Sequence, residues 1–379
     1  FNGCTSLSDL TLPYASRNEI STYSEAELNQ YLSVADMFMN ISWSWDNKGM
    51  DFKPYSISKI KITGGGMIPD NAFSSMTTLK EIDLSDTQIS SIGSYAFSDC
   101  TALENIIFPE SLKSIDTCAF INCTSVKKFN LNDGLDHIGS YAFGNCTGIT
   151  SLVIPESVTA MDDRMLNGCT SLETLQIPYA ATEKAVACNE KNIDQYDSVA
   201  DLFMVISWSW DNYGMDFSDY AISKIIVTGG YKVPSYAFAS MTTLKEVDLS
   251  GSATEQIGDY AFWNCSSLAD IKISDKTESI GDYAYYGTPI TALPDSGNIK
   301  SIGNYAFSEC QKLTDFTIPS SYEILGEGVG KLEIELVVVI FPQERVKLHI
   351  GKQVIHPAHV PLVEEAQPAV VARLRDHGE

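Results

Sequence analysis

The side chains best equipped for chemistry recur at fixed intervals. Seven of the nine cysteines, Cys4, Cys100, Cys123, Cys146, Cys169, Cys265 and Cys310, share one position just before an apolar hexad. Thiols can form disulfides, ligate zinc or act as nucleophiles. One thiol per unit and an odd total argue against a disulfide framework. There is no C-x-x-C, and four of the five histidines lie beyond residue 340, so zinc is not expected. The pattern reads as a column of small, apolar, buried thiols. His137 fills a slot that is usually Ser and reads as a solvated turn residue. The glycine run at Gly64 lacks a following Gly-Lys-Ser/Thr, so it reads as a turn and not a phosphate loop. Neither G-x-S-x-G nor H-E-x-x-H occurs. Carboxylates are abundant but repeat with the units, which suggests solvation and not a unique catalytic pair. No catalytic residue, metal or cofactor is expected, and the chain reads as a non-enzyme.

Other recurring groups suit contact. Asn122, Asn145 and Asn264 sit in N-x-S/T sequons, read as turn asparagines that bond backbone; glycosylation would need a eukaryotic secretory source. Trp43 and Trp45 recur as Trp208 and Trp210 in SWSWDN. Spacing i, i+2 puts both rings of a pair on one side of an extended segment. They either roof the fold or form an aromatic surface for sugar or protein. Asp46, Asp51, Asp211 and Asp216 flank these segments without the spacing of an EF-hand.

What must position these groups is a repeat. Ala-Phe pairs at Ala72, Ala96, Ala119, Ala142, Ala237, Ala261 and Ala306 mark a unit of about 23 residues, and NGCTSL at Asn2 returns at Asn167. A period of this kind marks a solenoid. In LKEIDL from Leu79, Leu79, Ile82 and Leu84 point one way, and Glu81 and Asp83 the other. Hexads of this grammar begin at Leu7, Ile57, Leu79, Leu103, Val126, Ile149, Leu172, Ile222, Leu244, Leu268 and Leu313, with a shortened copy at Ile290. Twelve stacked parallel strands would make a sheet roughly 53 Å long. Proline then ends the strand, an Ile-Gly step turns a corner, and Ala-Phe packs inward in a short helical or 3₁₀ turn. Two units are enlarged by a segment that reads as a helix, over Ser24–Phe38 and Ile193–Phe203, the first with a Ser24/Glu27 capping box.

Net charge is −24, which disfavours nucleic acid and anionic membrane. No apolar run reaches 18 residues, so no membrane insertion is expected. The chain opens in mid-repeat, and a natural N-terminus upstream is expected.

SIGSYAFSDCTALENIIFPESLKSIDTCAF, from Ser91, resembles the BspA-like leucine-rich repeats of bacterial and protozoan surface proteins, and the resemblance covers about residues 1–325. It implies an α/β leucine-rich-repeat right-handed solenoid with a parallel β-sheet on the concave face, two long helix-containing rungs and a non-repeat C-terminal segment. It also implies a secreted or cell-surface role in adhesion.

Residues 1–330 are expected to form the solenoid, as two super-repeats, 1–165 and 166–330. Residues 331–379 leave the pattern and read as a capping segment or foreign sequence, with strands and a helix near Glu364–Asp376. RVKLHIGKQVIH from Arg345 resembles the end of lysophospholipid acyltransferases, but no histidine has Asp five residues later. An acyltransferase-like tail is therefore a remote reading. The main expectation is a monomer that binds a host or neighbouring-cell surface protein or glycan. Expected contact residues are Glu81, Asp83, Asn105, Lys128, Asn130, Ser151, Thr174, Gln176, Glu246, Asp248, Asp270 and Lys272, with Trp43, Trp45, Trp208 and Trp210 as a second surface. The rival reading is a structural spacer for a missing catalytic or anchoring domain.

Overall fold

The computed structural model of the chain describes residues 1, 3–15, 34, 37, 55–181, 198–203, 217–313, 315–317, 323–329, 349–350, 353–354 and 371–373. The hexads become short strands of a first parallel sheet. One section runs Asp9–Leu12, Lys59–Ile62, Glu81–Asp83 and Asn105–Ile107. The other runs Ser151–Val153, Thr174–Ile177, Lys224–Val227, Glu246–Asp248 and Asp270–Lys272. Leu79, Ile82 and Leu84 are fully buried, as the alternation requires. The long rungs do not interrupt this sheet, because Asp9 pairs with Lys59 and Thr174 with Lys224.

The sheet is nevertheless not the single ladder of twelve. Lys128 and Asn130 lie in no strand. Where neighbouring rungs bury Ile106 or Leu152, this one buries Phe129, whose ring lies 4.4 Å from Phe143 and 5.2 Å from Phe120. A phenyl ring fills more space at this position than Ile or Leu. The short copy at Ile290 is also outside any strand, and Asp315–Thr317 pairs antiparallel with Val371–Arg373 of the tail. The latter segment is a strand where the sequence pattern predicts a helix.

The Ser-Ile steps, read from sequence as corners, form a second face built from two separate parallel sheets. It comprises Met67–Ile68, Ser91–Ile92, Ser114–Ile115, His137–Ile138 and Ala160–Met161, then Lys232–Val233, Gln256–Ile257, Ser279–Ile280, Ser301–Ile302 and Ile324–Leu325. Strands of two residues are too short to show a period in sequence. Rungs pack so closely here that a Cβ on Gly281 would stand 2.4 Å from Asp259 Oδ1 and 2.6 Å from its backbone N. His137 therefore belongs to a strand, and its Nε2 lies 3.1 Å from Asp162 Oδ1. It is not a free turn residue.

The Ala-Phe segments make the third side, as turns and not 3₁₀ helix. Alternate amides bridge rungs: Tyr95, Phe97 and Asp99 donate to Thr117, Ala119 and Ile121 at 3.1, 2.7 and 2.9 Å. The intervening amides of Ala96, Ser98 and Cys100 bond within their own turn. That alternation needs left-handed backbone twice per rung, as at Tyr95 (φ 57°) and Asp99 (φ 59°), Tyr141 (54°) and Asn145 (54°), or Tyr260 (56°) and Asn264 (56°). The sequon asparagines are such residues. Asn122 Nδ2 donates to Asp99 at 2.7 Å, and Asn145 Nδ2 to Asn122 at 2.9 Å.

Inside, the phenylalanines stack. Phe73, Phe97 and Phe120 follow at 4.9 and 5.0 Å, and Phe238, Phe262, Tyr285 and Phe307 at 5.1 Å each. The cysteine column runs beside them. Cys100, Cys123, Cys146, Cys169, Cys265 and Cys310 are buried free thiols. Each donates to the aromatic carbonyl of the preceding rung, as Cys123 does to Phe97 at 3.1 Å. Cys4, expected in the column, is exposed.

The expected helices fall largely outside the described residues, as does the Ser24/Glu27 capping box. Among the described residues there is no α-helix; the helical element is a 3₁₀ turn, Val199–Leu202, capped by the Ser198 hydroxyl. This short turn stands in for an Ala-Phe turn. Leu166 N–H donates to Leu202 O at 2.7 Å, and Val199 N–H to Ala237 O at 2.8 Å. The counterpart Val34 N–H meets Ala72 O at 2.8 Å. The tail touches the solenoid again where His349–Ile350 pairs parallel with Ile324–Leu325.

Candidate functional site

Two columns of outward side chains line the first sheet. In one section, Asp9, Lys59, Glu81 and Asn105 are in register, next to Thr11, Lys61, Asp83 and Ile107. In the other, Ser151, Thr174, Lys224, Glu246 and Asp270 run beside Val153, Gln176, Ile226, Asp248 and Lys272. Neighbouring strands put these groups about 4.8 Å apart, close enough for lateral pairing. Lys59 lies 3.7 Å from Glu81, and Lys61 lies 3.0 Å from Asp83 and 2.6 Å from Asp86. Glu246 Oε1 takes Lys224 at 2.9 Å and Lys272 at 3.0 Å.

These pairs set the protonation states. Hydrogen bonds from Lys224 and Lys272 hold the Glu246 carboxyl below its usual range. Partial burial pushes Asp83 and Asp248 up, but hydrogen bonds from Ser85 and Ser250, with Lys61 and Lys272, outweigh it and leave both low. The face is thus a zwitterionic grid at neutral pH, with Ile107 and Val153 exposed on the edge strands of its two sections. It offers donors, acceptors and apolar spots spread over a broad surface.

Of the expected contact residues, Glu81, Asp83, Asn105, Ser151, Thr174, Gln176, Glu246, Asp248, Asp270 and Lys272 share this face, in its two sections. Lys128 and Asn130 are exposed but sit at the break between sections. Trp43, Trp45, Trp208 and Trp210 lie outside the described residues. Lys59, Lys61 and Lys224 belong to the grid and are absent from the expected set, although KIKI after the first long rung carries the same alternation. The other unexpected group is a row of partly exposed tyrosines on the turn side. Tyr236, Tyr260, Tyr283 and Tyr305 stack with centroids 4.8, 4.9 and 5.1 Å apart. Its signal in the sequence is the Tyr that precedes Ala in SYAF, DYAF, DYAY and NYAF.

The BspA type leucine rich repeat region, as a family model, matches residues 66–192 and 218–348 in six copies. No curated protein matches the chain. Among solved structures, a leucine rich repeat protein of T. pallidum is 18% identical, with 55% of this chain and 77% of its own covered and a TM-score of 0.35. A leucine rich cell surface protein from Faecalibacterium prausnitzii is 20% identical, with 84% and 83% covered and a TM-score of 0.32. A leucine-rich repeat protein from Eubacterium ventriosum is 19% identical, with 82% and 87% covered and a TM-score of 0.34. With the repeat grammar, its folded geometry and a match over more than half its length in agreement, the chain belongs to the BspA type leucine rich repeat family.

Proposed function

We propose that the chain is a non-enzymatic, cell-surface or secreted binding protein. It uses the first-sheet face to hold a protein or glycan of a host or neighbouring cell, and it acts as a monomer in adhesion. The observation that carries this reading is the laterally paired grid of Lys59, Lys61, Glu81 and Asp83 with Lys224, Glu246, Asp248 and Lys272. A long, half-exposed surface whose charges are already fixed in place loses little side-chain freedom on contact. It suits many shallow polar contacts and not one deep pocket. Residues 1–330 would act as one solenoid, with 331–379 closing its end.

The test is binding of the whole chain to immobilised matrix proteins and to a glycan array. The comparison is a variant carrying Glu81→Ser, Asp83→Ser, Glu246→Ser and Asp248→Ser. Retention that the variant loses supports the proposal. Absence of retention for both leaves the second reading, a spacer that holds another domain away from the surface.

A further inference from the structure

We propose that the tyrosine row of the second super-repeat is a separate docking surface, for an arginine-rich segment of a partner protein. It lies on the turn side of the solenoid, away from the first-sheet face, and does not depend on the function proposed for that face.

The row is not demanded by the backbone. Tyr236, Tyr260, Tyr283 and Tyr305 have φ of 64°, 56°, 54° and 54°. Bulky side chains seldom take left-handed conformations. Asn71 fills the same slot at φ 57°, so the fold accepts the residue type that suits this conformation. The rings are not core either: Tyr305 is 39% exposed, and the other three are half-buried. Trp263 and Tyr286 extend the patch sideways, 6.5 Å apart, with Tyr286 5.9 Å from Tyr283. The first super-repeat has Asn71, Tyr95, Cys118, Tyr141 and Arg164 at this position, so its row is broken.

Charge selects the partner. The turn segments 234–241, 258–265, 281–288, 303–310 and 326–329 contain Asp259, Asp282, Glu309 and Glu327 and no Lys or Arg. A groove of about 440 Å³ runs beside the row along Gly258, Gly281 and Gly303. Asp259 and Asp282 line it, and its one lining cation, Lys232, is buried at the N-terminal end. Ring faces within the stack are covered by neighbouring rings, so a sugar cannot lie flat on them. The row presents edges and phenol oxygens, which match cationic hydrogen-bond donors.

The chain itself contains one worked instance. Arg164 occupies the slot one rung after Tyr141. Its Nη1 donates to the Tyr141 hydroxyl at 3.0 Å, its Cζ lies 5.6 Å from that ring, and its Nε is 3.1 Å from Asp163. The Tyr141 hydroxyl and ring thus hold a guanidinium, with the aspartate of the next rung close enough to balance its charge. The same pair recurs as Tyr236 with Asp259 and Tyr260 with Asp282, where backbone bonds of 3.0 and 2.8 Å join the partners. In those rungs the next tyrosine fills the place over the ring, so a guanidinium from another chain would meet the phenol oxygen and the carboxylate at the edge of the stack.

The experiment titrates the whole chain with nona-arginine, nona-lysine and an uncharged peptide at physiological salt, followed by calorimetry. The key variant is Asp259→Asn with Asp282→Asn. Asn keeps the acceptor that caps the next rung, since Asn304 already accepts from Glu327 N–H at 2.8 Å in that slot. A second variant is Tyr260→Asn with Tyr283→Asn, which copies the residue that Asn71 places in this slot. The expected result is nona-arginine binding that each variant weakens by about tenfold or more, that exceeds nona-lysine binding, and that Glu246→Gln leaves unchanged. Equal binding of the two cationic peptides, or affinity untouched by both variants, would overturn the proposal as mere attraction to a chain of net charge −24. A glycan that binds in place of the peptide and is lost in the Tyr variant would overturn it as well.

Discussion

Lys61 reaches Asp83 from the strand before it, whereas Lys272 reaches the corresponding Asp248 from the strand after it. The two super-repeats solve one electrostatic problem with opposite geometry. Position 226, the counterpart of Lys61, is Ile, and position 107, the counterpart of Lys272, is also Ile. An apolar group and a cation have changed places around a repeated pair of carboxylates, Glu81/Asp83 and Glu246/Asp248.

The first prediction follows from that exchange. Lys272→Ile removes a partner from both Glu246 and Asp248 and should lower stability slightly, as loss of an exposed cross-strand pair does. Adding Ile226→Lys should restore most of the loss, since Lys61 shows that a cation there reaches the aspartate. Urea denaturation of both single variants and the double variant measures the coupling. Additive losses would show that the two positions are not interchangeable.

Inside and outside are legible in the sequence because both are encoded by period. Leu79, Ile82, Phe97 and Cys100 each recur at a fixed position, and all are fully buried. What is not legible depends on single residues or on very short segments. The break in the first sheet falls at Phe129, whose size an apolar/polar pattern does not record. The Ser-Ile strands are two residues long and have no alternation to detect. The tyrosine row is hidden because its residues belong, by sequence, to the Ala-Phe turn; the turn's left-handed backbone is what brings them alongside one another.

The second prediction separates those two environments. Phe97 lies between Phe73 and Phe120 with near-parallel rings. Phe97→Ala should destabilise by about 3–5 kcal/mol. Glu81→Ala, on the half-exposed face, should stay within about 0.5 kcal/mol. The same denaturation series measures both, and equal losses would contradict the burial pattern.

A third expectation concerns the thiols. Burial pushes Cys169 and Cys265 up to about 12, and Cys123 and Cys146 well above the ordinary thiol value. The thiolate is the reactive form, so alkylation of the native chain near about pH 8 should label Cys4 and spare these four. Peptide mapping by mass spectrometry reads the result, with denatured chain as the control. Rapid labelling of Cys146 in the native state would mean that the column opens to solvent.

The last prediction is a stability profile with two opposed limbs. Burial raises the carboxyls of Asp70 and Asp116 in the folded chain. A raised carboxyl binds protons more tightly folded than unfolded, so acidification from neutral pH toward about 4 should stabilise the fold. Glu246, Asp83 and Asp248 are shifted the other way. Their contribution is present above the unfolded carboxylate value and is lost as pH falls through their lower folded values. Thermal midpoints should therefore rise on mild acidification and fall steeply below about pH 4. Asp70→Asn retains the acceptor that Ser94 N–H uses at 2.7 Å. It should flatten the upper limb and leave the lower one in place, whereas Glu246→Gln should blunt the lower limb. A profile that falls monotonically from neutral pH, unchanged by Asp70→Asn, would show that these two aspartates are not strained in their charged form.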